Sequence, residues 1–399
     1  MTDPKPSDNS PASWRLRTYP IVVLAALVGA LLLATSVYDR DDPTSRLGGD
    51  YPSFYGAGSI VRDGDWDQLY SGERQQLEQA GLIDDVGGYL YFSYPPFVAA
   101  VYGQFAGFGY QWSFLLHTFL LGLALAGAVR LLWPWLQHLG LPPVAVTVIA
   151  LGFYPVLRAI PGGQNTTFSL LLVAAALRLD HEDQSVAAGF VAAMLLYKPQ
   201  FGVVLVALLL VARRWQMLAG WLAGAASLYA ISAMLMGGEW VQDWWAQAGA
   251  FRDLNLDANG ANFVSFPGFL ENVLGLGSGL AWVVGYGLAA LVGGLVAFYW
   301  WKNPNDLALE RWTLAAAAVV VAAPQTLYYD TGLLLLGLVP FSLAGSRRLL
   351  LVVGSLLALS WTQLGAGSLA WSPLGPIAWV GVALLLYRAF ESRSRPQAA

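Results

Sequence analysis

Cysteine is absent from this 399-residue chain, and histidine occurs only three times, at His117, His138 and His181. The missing thiols exclude disulfide bonds and thiol chemistry, although they leave the cellular compartment open. The three histidines are too dispersed in sequence to indicate a metal site, and the acidic residues form no compact ligand cluster. We therefore expect neither a metal nor a cofactor.

Charge is scarce as well. Charged residues make up 12% of the chain and hydrophobic residues 57%, whereas a soluble domain carries roughly 25% charged residues. The net charge of −4 gives no reason to expect a nucleic-acid partner. Apolar runs of about 14 to 24 residues recur along the whole chain, which is typical of a polytopic helical protein embedded in a lipid bilayer.

These runs predict an all-α polytopic membrane protein with about twelve transmembrane helices. The predicted spans are 20–38, 112–133, 142–159, 166–179, 185–197, 200–212, 215–236, 277–300, 312–327, 331–345, 348–365 and 374–390. Residues 20–390 then form a single transmembrane domain, between a disordered cytoplasmic tail at 1–19 and a second cytoplasmic tail at 391–399. Residues 39–111 and 237–276 form two long extracytoplasmic loops.

The stretch from Pro95 to Phe108 decides on which side every later loop lies. At 1.5 Å per residue it reaches only about 21 Å, against a hydrocarbon core of roughly 30 Å. If it does not cross, 14 of the 21 Lys and Arg residues lie in the cytoplasm, in agreement with the positive-inside rule. We therefore predict that it lies on or dips into the outer surface of a multi-pass protein of the plasma (inner) membrane.

Two short apolar runs indicate a cavity. Residues 185–197 and 200–212 meet at Lys198 and Pro199, where the proline disfavours a helical conformation of the lysine. The span 166–179 also begins after an irregular segment, 158–165. Irregular backbone at membrane depth is tolerated where it lines a cavity or is buried in protein. The residues expected near the floor of this outward-facing cavity are Lys198, Arg158, Gln164 and Asn165.

Asp50 is the acidic residue that its surroundings set apart. It follows two glycines, and no other charged residue occurs between Leu47 and Val61. Glycines let a backbone approach a ligand closely, so Asp50 is a candidate functional residue in the first outer loop. The alternative is a solvated loop charge, which is how we interpret Asp63 and Asp65.

Lys198 and Arg158 are cations at the outer ends of spans, where positive charge is disfavoured, and both would suit a phosphate ligand. The alternative is that their side chains extend to lipid headgroups. Asp330, at the start of a span, is either a helix N-cap or part of a substrate site. Tyr94 belongs to the corner that starts the non-spanning helix, and its ring could contact a sugar or a prenyl chain.

Five ordered motifs resemble glycosyltransferase family 87, the polyprenol-phosphate-mannose-dependent mannosyltransferases of the GT-C superfamily. They are Asp50-Tyr51-Pro52-Ser53-Phe54-Tyr55, Asp67-Gln68-Leu69-Tyr70, Tyr94-Pro95-Pro96-Phe97, Gly163-Gln164-Asn165 and Tyr197-Lys198-Pro199-Gln200. Together they cover roughly residues 45–215. The late stretch from Pro324 to Asp330 departs from the pattern, because some members have a histidine near it and this chain has Tyr328, Tyr329 and Asp330.

The resemblance implies a GT-C-type fold whose long first extracytoplasmic loop contains juxtamembrane helices. It also implies an enzyme, acting at the periplasmic or exterior face, that moves a hexose, most often mannose, from a polyprenyl-phosphate donor to a hydroxyl group of an envelope lipid or glycan. Asp50 takes the position of the catalytic residue and would accept the proton of that hydroxyl. Lys and Arg would stabilise the leaving phosphate without a metal, and a single displacement would invert the anomeric centre.

A membrane transporter or flippase of a lipid-linked or sugar substrate is the main alternative. Transporters often contain internal repeats and a buried acid within a span. In this chain no repeat is evident, and the distinctive acid lies in a loop. Sugar transfer that depends on a prenyl-phosphate sugar would distinguish the two functions.

Overall fold

The computed structural model describes residues 49–80, 82, 89–273, 278–303, 308–342 and 354–394. The regular elements within these ranges are helices, and an isolated antiparallel bridge joins Phe263 to Leu327. The prediction of an all-helical protein is thus confirmed. The predicted tail at 1–19, the predicted span 20–38, the first part of the span 348–365 and most of the tail at 391–399 lie outside the described residues.

The α-helices are α1 (Tyr51–Arg62), α2 (Gly72–Gln79), α3 (Pro96–Ala106), α4 (Tyr110–Leu131), α5 (Trp133–Leu136), α6 (Pro143–Leu151), α7 (Tyr154–Ala159), α8 (Thr166–His181), α9 (Ser185–Ala193), α10 (Pro199–Val211), α11 (Trp215–Met236), α12 (Trp240–Asn259), α13 (Phe266–Val273), α14 (Ser278–Lys302), α15 (Ala308–Ala322), α16 (Leu338–Ser342), α17 (354–360), α18 (Ala366–Leu369) and α19 (Leu374–Ser394). Short 3₁₀-helices lie at Trp66–Gln68, Gln137–Leu139, Met194–Tyr197, Gly260–Asn262, Tyr328–Gly337 and Trp361–Gly365.

Four of the described helices are long and apolar enough to cross a membrane: Tyr110–Leu131, Trp215–Met236, Gly279–Lys302 and Leu374–Glu391. The pair Trp133–Leu139 and Pro143–Leu151, bent by 95° at a short break, is a candidate for a fifth crossing. These helices indicate a multi-pass membrane protein. The number of about twelve crossings and their orientation remain predictions.

Several predicted spans differ from the observed helices, and two of the differences bear on the site. The span 142–159 is divided into α6 and α7, because Pro155 would remove a hydrogen bond from the interior of a continuous helix but is tolerated in the first turn of α7. The span 331–345 begins earlier, as the 3₁₀-helix Tyr328–Gly337. The Asp330 carboxylate caps its start by accepting a hydrogen bond from the Leu327 amide at 3.2 Å. Asp330 therefore caps from the third residue of the helix and is not its N-cap.

The stretch 95–108 forms the short helix α3, whose 11 residues extend over about 16 Å. Helix α3 packs along α1 at very close range. A Cβ atom built on Gly58 of α1 would lie 2.6 Å from the Tyr102 carbonyl oxygen of α3, so only glycine permits this approach. The α1–α3 pair thereby supports the amino-terminal end of α1, where Asp50 lies.

Candidate functional site

Asp50 is the residue that immediately precedes α1, and its backbone is attached to the turn that follows α7. Its amide donates a hydrogen bond of 3.1 Å to the Gly162 carbonyl oxygen. Gly49 has a φ of +51°, in the left-handed region, and a Cβ on it would lie 2.6 Å from the same oxygen. Both restrictions require glycine at position 49. Two segments that the sequence separates by more than 100 residues therefore meet, backbone against backbone.

The side chains make a second connection between these segments. Gln164 Nε2 donates a short hydrogen bond to Asp50 Oδ2. Asp50 is exposed, and it borders a cavity. The pKa of its carboxyl is nevertheless raised above the ordinary value, mainly because the surrounding protein displaces water. The Gln164 hydrogen bond and the charge of Lys198 lower that pKa, and the charge of Asp330 raises it.

Lys198 lies between α9 and α10 and forms a buried ion pair. Its Nζ is 2.6 Å from Asp330 Oδ1, and the two side chains are only 5% and 4% exposed. The ammonium group also lies 5.2 Å from the ring centre of Phe201 and 5.3 Å from that of Tyr329. The side chain therefore points into the protein, toward the group that holds it, instead of extending to a lipid surface.

Asp50, Tyr94, Lys198 and Asp330 all line one polar cavity of about 110 Å³. The Tyr94 ring is parallel to that of Tyr197, at 6.3 Å, and also packs on Phe54. Four of the seven site residues named from the sequence are thus brought together. Within the described ranges, no group of three His, Asp or Glu side chains is placed to hold a metal ion.

The other three predicted residues do not line this cavity. Gln164 is 4% exposed and touches Asp50. Asn165 is buried, accepting a hydrogen bond from Tyr102 through its side chain at 3.2 Å and one from the Tyr197 hydroxyl through its carbonyl at 3.0 Å. Arg158, on α7, is hydrogen-bonded to Tyr154 and Tyr328. Gln164 and Asn165 thus contact residues that line the cavity, Asp50 and Tyr197.

Tyr329 and Gln325 line the cavity although the sequence predicts no role for them. The Tyr329 ring covers the Lys198 ammonium. Gln325 has a φ of 58°, which is uncommon for a residue with a side chain. A tyrosine and a glutamine beside a span carry no signal of charge or periodicity, so only the fold reveals their position.

A second cavity lies beside the polar one. It is larger, about 880 Å³, and mainly apolar, and it is lined by residues of α10, α12, α14 and the end of α15. The residues that line both cavities are Ser93, Pro199, Gln200, Phe251 and Gln325. The two spaces therefore adjoin at the turn that carries Lys198, so that one ligand with a polar head and an apolar tail could occupy both.

The profile of glycosyltransferase family 87 matches residues 92–324, which is more than half of the chain. The chain belongs to glycosyltransferase family 87. It is therefore a membrane glycosyltransferase, an enzyme that transfers a sugar from a donor to an acceptor. No curated protein and no solved structure matches it.

The matched segment of this family 87 glycosyltransferase contains Tyr94, Arg158, Gln164, Asn165 and Lys198. Asp50 and Asp330 lie outside it, on either side. Both nevertheless reach the cavity, because Asp50 is attached to the Gly162–Gln164 turn and Asp330 is paired with Lys198. The matched segment thus supplies the contacts that position both carboxylates.

Proposed function

We propose that this glycosyltransferase moves a hexose, mannose in the first instance, from a polyprenyl-phosphate donor to a hydroxyl group of an envelope lipid or glycan. The reaction takes place on the extracytoplasmic side of the membrane. The observation that carries the proposal is the pairing of a small polar cavity, which contains Asp50, with a large apolar cavity next to it. A lipid-linked sugar has the same division into a polar head and an apolar tail.

The apolar cavity supports the choice of a prenyl chain. Val203, Ala207 and Val211 contribute one wall from α10, and Gly293 and Gly294 contribute another from α14. Burying apolar surface stabilises a complex by roughly 25 cal/mol per Å². A prenyl tail buried in this space would therefore stabilise the complex without hydrogen bonds or other directional contacts.

The shared lining of the two cavities suggests where the phosphate lies, since the phosphate joins the head of the donor to its tail. Lys198 precedes Pro199 and Gln200, which belong to that lining. Its ammonium is held by Asp330 at 2.6 Å. An entering phosphate would compete with this carboxylate, and the ammonium could then stabilise the negative charge of the leaving group.

Asp50 is the base in this proposal. The acceptor oxygen forms a bond to the anomeric carbon of the sugar while its proton passes to the Asp50 carboxylate. The bond between the anomeric carbon and the phosphate oxygen breaks, and its electron pair leaves with the polyprenyl phosphate. One displacement of this kind inverts the anomeric configuration. Its raised pKa makes Asp50 a stronger base than an ordinary aspartate.

The test is a transfer assay with purified enzyme in vesicles, supplied either with prenyl-phosphate mannose or with nucleotide-linked mannose. We expect a glycosidic product from the prenyl-phosphate donor alone, with an inverted anomeric centre by NMR. Direct use of the nucleotide sugar would contradict the proposed donor. Movement of the labelled lipid across the bilayer without a new glycosidic bond would instead indicate a flippase.

A further inference from the structure

Gln164 is held in a fixed position by the turn that carries it. Three backbone amides of this turn donate hydrogen bonds to carbonyl oxygens at or just after the end of α7. The bonds are Gly162 to Arg158 at 3.0 Å, Gly163 to Ile160 at 3.3 Å, and Gln164 to Ala159 at 2.8 Å. The side chain is 4% exposed. Its amide group is therefore presented to Asp50 by a preformed support.

The orientation of the Gln164 amide follows from the chemistry of its partner. An ionised carboxylate only accepts hydrogen bonds, so the nitrogen of the amide must face Asp50. This orientation leaves Gln164 Oε1 buried, with no hydrogen-bond partner in the described part of the chain. A buried acceptor without a partner is unfavourable. Gln164 thus keeps its hydrogen bond to the carboxylate although this orientation leaves its own carbonyl oxygen without a partner in the described part of the chain.

The two oxygens of Asp50 are consequently not equivalent. Oδ2 accepts the hydrogen bond from Gln164. Oδ1 has no hydrogen-bond partner among the described residues, and Asp50 borders the polar cavity. The Asp50 amide is simultaneously attached to the Gly162 carbonyl oxygen at 3.1 Å, in the same turn. Backbone and carboxylate are therefore fixed relative to one another.

We propose that Gln164 is a positioning residue, which occupies Oδ2 of Asp50 and so leaves Oδ1 as the oxygen that takes the proton of the acceptor. The inference deepens the proposed function and rests on it. Gln164 contacts the base and not the reacting atoms. Its removal should therefore change how Asp50 titrates and how fast it reacts, while binding of the donor stays the same.

The isosteric variant Gln164→Glu and the truncation Gln164→Ala test the inference in the purified full-length enzyme. In the wild type, the rate should rise with pH as Asp50 loses its proton, with a midpoint above the ordinary aspartate value of about 3.9. Loss of the donated hydrogen bond removes a contact that favours the charged form, so the midpoint should move to higher pH in Gln164→Ala. It should move further in Gln164→Glu, where a second carboxylate opposes ionisation.

The maximal rate should fall at least about tenfold at neutral pH, and KM for the donor should change less than twofold. Asp50 also interacts electrostatically with other ionisable side chains, which are Lys198, Asp330, Tyr94, Tyr328 and Tyr329. They are common to wild type and variants, so a difference in midpoint reports on Gln164.

Gln75→Ala is the matched control. Gln75 is equally buried, and its side chain donates to the Leu69 carbonyl oxygen at 2.7 Å and accepts from the Phe92 amide at 2.9 Å. Its loss can lower the amount of folded enzyme, but it should leave the acidic midpoint in place. If the Gln164 variants keep the wild-type midpoint and lose no more rate than Gln75→Ala, Gln164 has only a structural role.

Infrared spectroscopy can follow the titration of the Asp50 carboxyl without any substrate. The Asp50 signal is obtained as the difference between each protein and the same protein with Asp50→Asn, and its midpoint is compared between the wild type and the Gln164 variants. A shifted titration in Gln164→Glu would uphold the contact even if the proposed transfer reaction were absent from the wild type. An unshifted titration would overturn the inference whatever the enzyme transfers.

Discussion

At the scale of single residues, Asp50 and the other acids of its region differ in their partners. Asp50 contacts a buried amide and borders the cavity. Asp63 and Asp65 instead accept hydrogen bonds from Arg74, at 2.9 and 3.2 Å, with side chains 58% and 48% exposed. Exposed ion pairs contribute little to stability. These two residues are therefore solvated charges, whereas Asp50 is the proposed base.

The substitution Asp50→Asn should reduce the transfer rate at least about a hundredfold, because general-base catalysis contributes typically 10²–10⁴-fold. Asparagine keeps the size of the side chain but cannot accept a proton at neutral pH. The measurement is the initial rate with prenyl-phosphate mannose, normalised to folded enzyme. Asp63→Asn and Asp65→Asn serve as controls and should remain near wild type. Equal losses in all three variants would show that Asp50 is not the base.

Lys198→Ala should raise KM for the prenyl-phosphate donor by roughly 10- to 100-fold, which is the effect of losing a charge-assisted hydrogen bond. The same change leaves the Asp330 carboxylate buried without its cation, which is itself destabilising. The double variant Lys198→Ala/Asp330→Ala removes both charges and separates the two effects. We expect it to restore thermal stability but not donor affinity. Normal donor affinity in both variants would exclude Lys198 from the phosphate site.

At the scale of elements, α8 is tied to two other helices at the end opposite Gln164 and Asn165. Asp180 Oδ2 accepts hydrogen bonds from Arg311 at 2.7 Å and from Trp312 Nε1 at 3.1 Å, both on α15. Arg214, which precedes α11, lies 3.6 Å from the other oxygen. Asp180 and Arg311 are almost fully buried. One carboxylate thus links three helices and fixes the frame within which α8 presents its amino-terminal end to the site.

Asp180→Asn should destabilise the protein by about 3–5 kcal/mol, because it breaks a buried ion pair by neutralising the carboxylate beside the Arg311 guanidinium. The measurement is the melting temperature of the purified protein in detergent. The control is Asp183→Asn, since Asp183 is exposed and has a φ of 59°, a conformation that asparagine tolerates. Because Asp180 is not placed in the site, KM for the donor should be unchanged in the folded fraction. A melting temperature equal to that of the control would contradict the structural role.

At the scale of the whole molecule, the orientation in the membrane decides which compartment supplies the acceptor. The positive-inside rule assigns the α8–α9 connection to the cytoplasm and α2 to the exterior. The position of Asp50 before α1 then places the base on the exterior side. This orientation is a prediction from charge alone.

Because the chain has no cysteine, single cysteines report on this orientation without background. We expect Gln76→Cys, exposed on α2, to react with a membrane-impermeant thiol reagent added to intact cells or spheroplasts. Gln184→Cys, exposed between α8 and α9, should react only after permeabilisation. The reverse pattern would place the site in the cytoplasm and would remove the polyprenyl-phosphate donor from consideration.

The sequence by itself determined the all-helical membrane class, the family and four of the residues that line the site. Composition and the length of apolar runs suffice for the class, because the bilayer accepts few structures other than helices. Four residues of the cavity lining could be predicted because each is a polar or aromatic residue at a position that the pattern of apolar spans does not explain. They are Asp50, Tyr94, Lys198 and Asp330. Charge at a boundary is visible in a sequence.

Tertiary structure decided which of these residues act on one another. The pairing of Lys198 with Asp330, and of Asp50 with Gln164, joins positions more than 100 residues apart in sequence. Such contacts depend on how helices pack, and packing is set by side-chain shape and by close backbone approach, as at Gly49 and Gly162. The tertiary structure also left Asn165 and Arg158 out of the cavity lining and revealed the apolar cavity. A void is a property of the assembled helices and of no single segment.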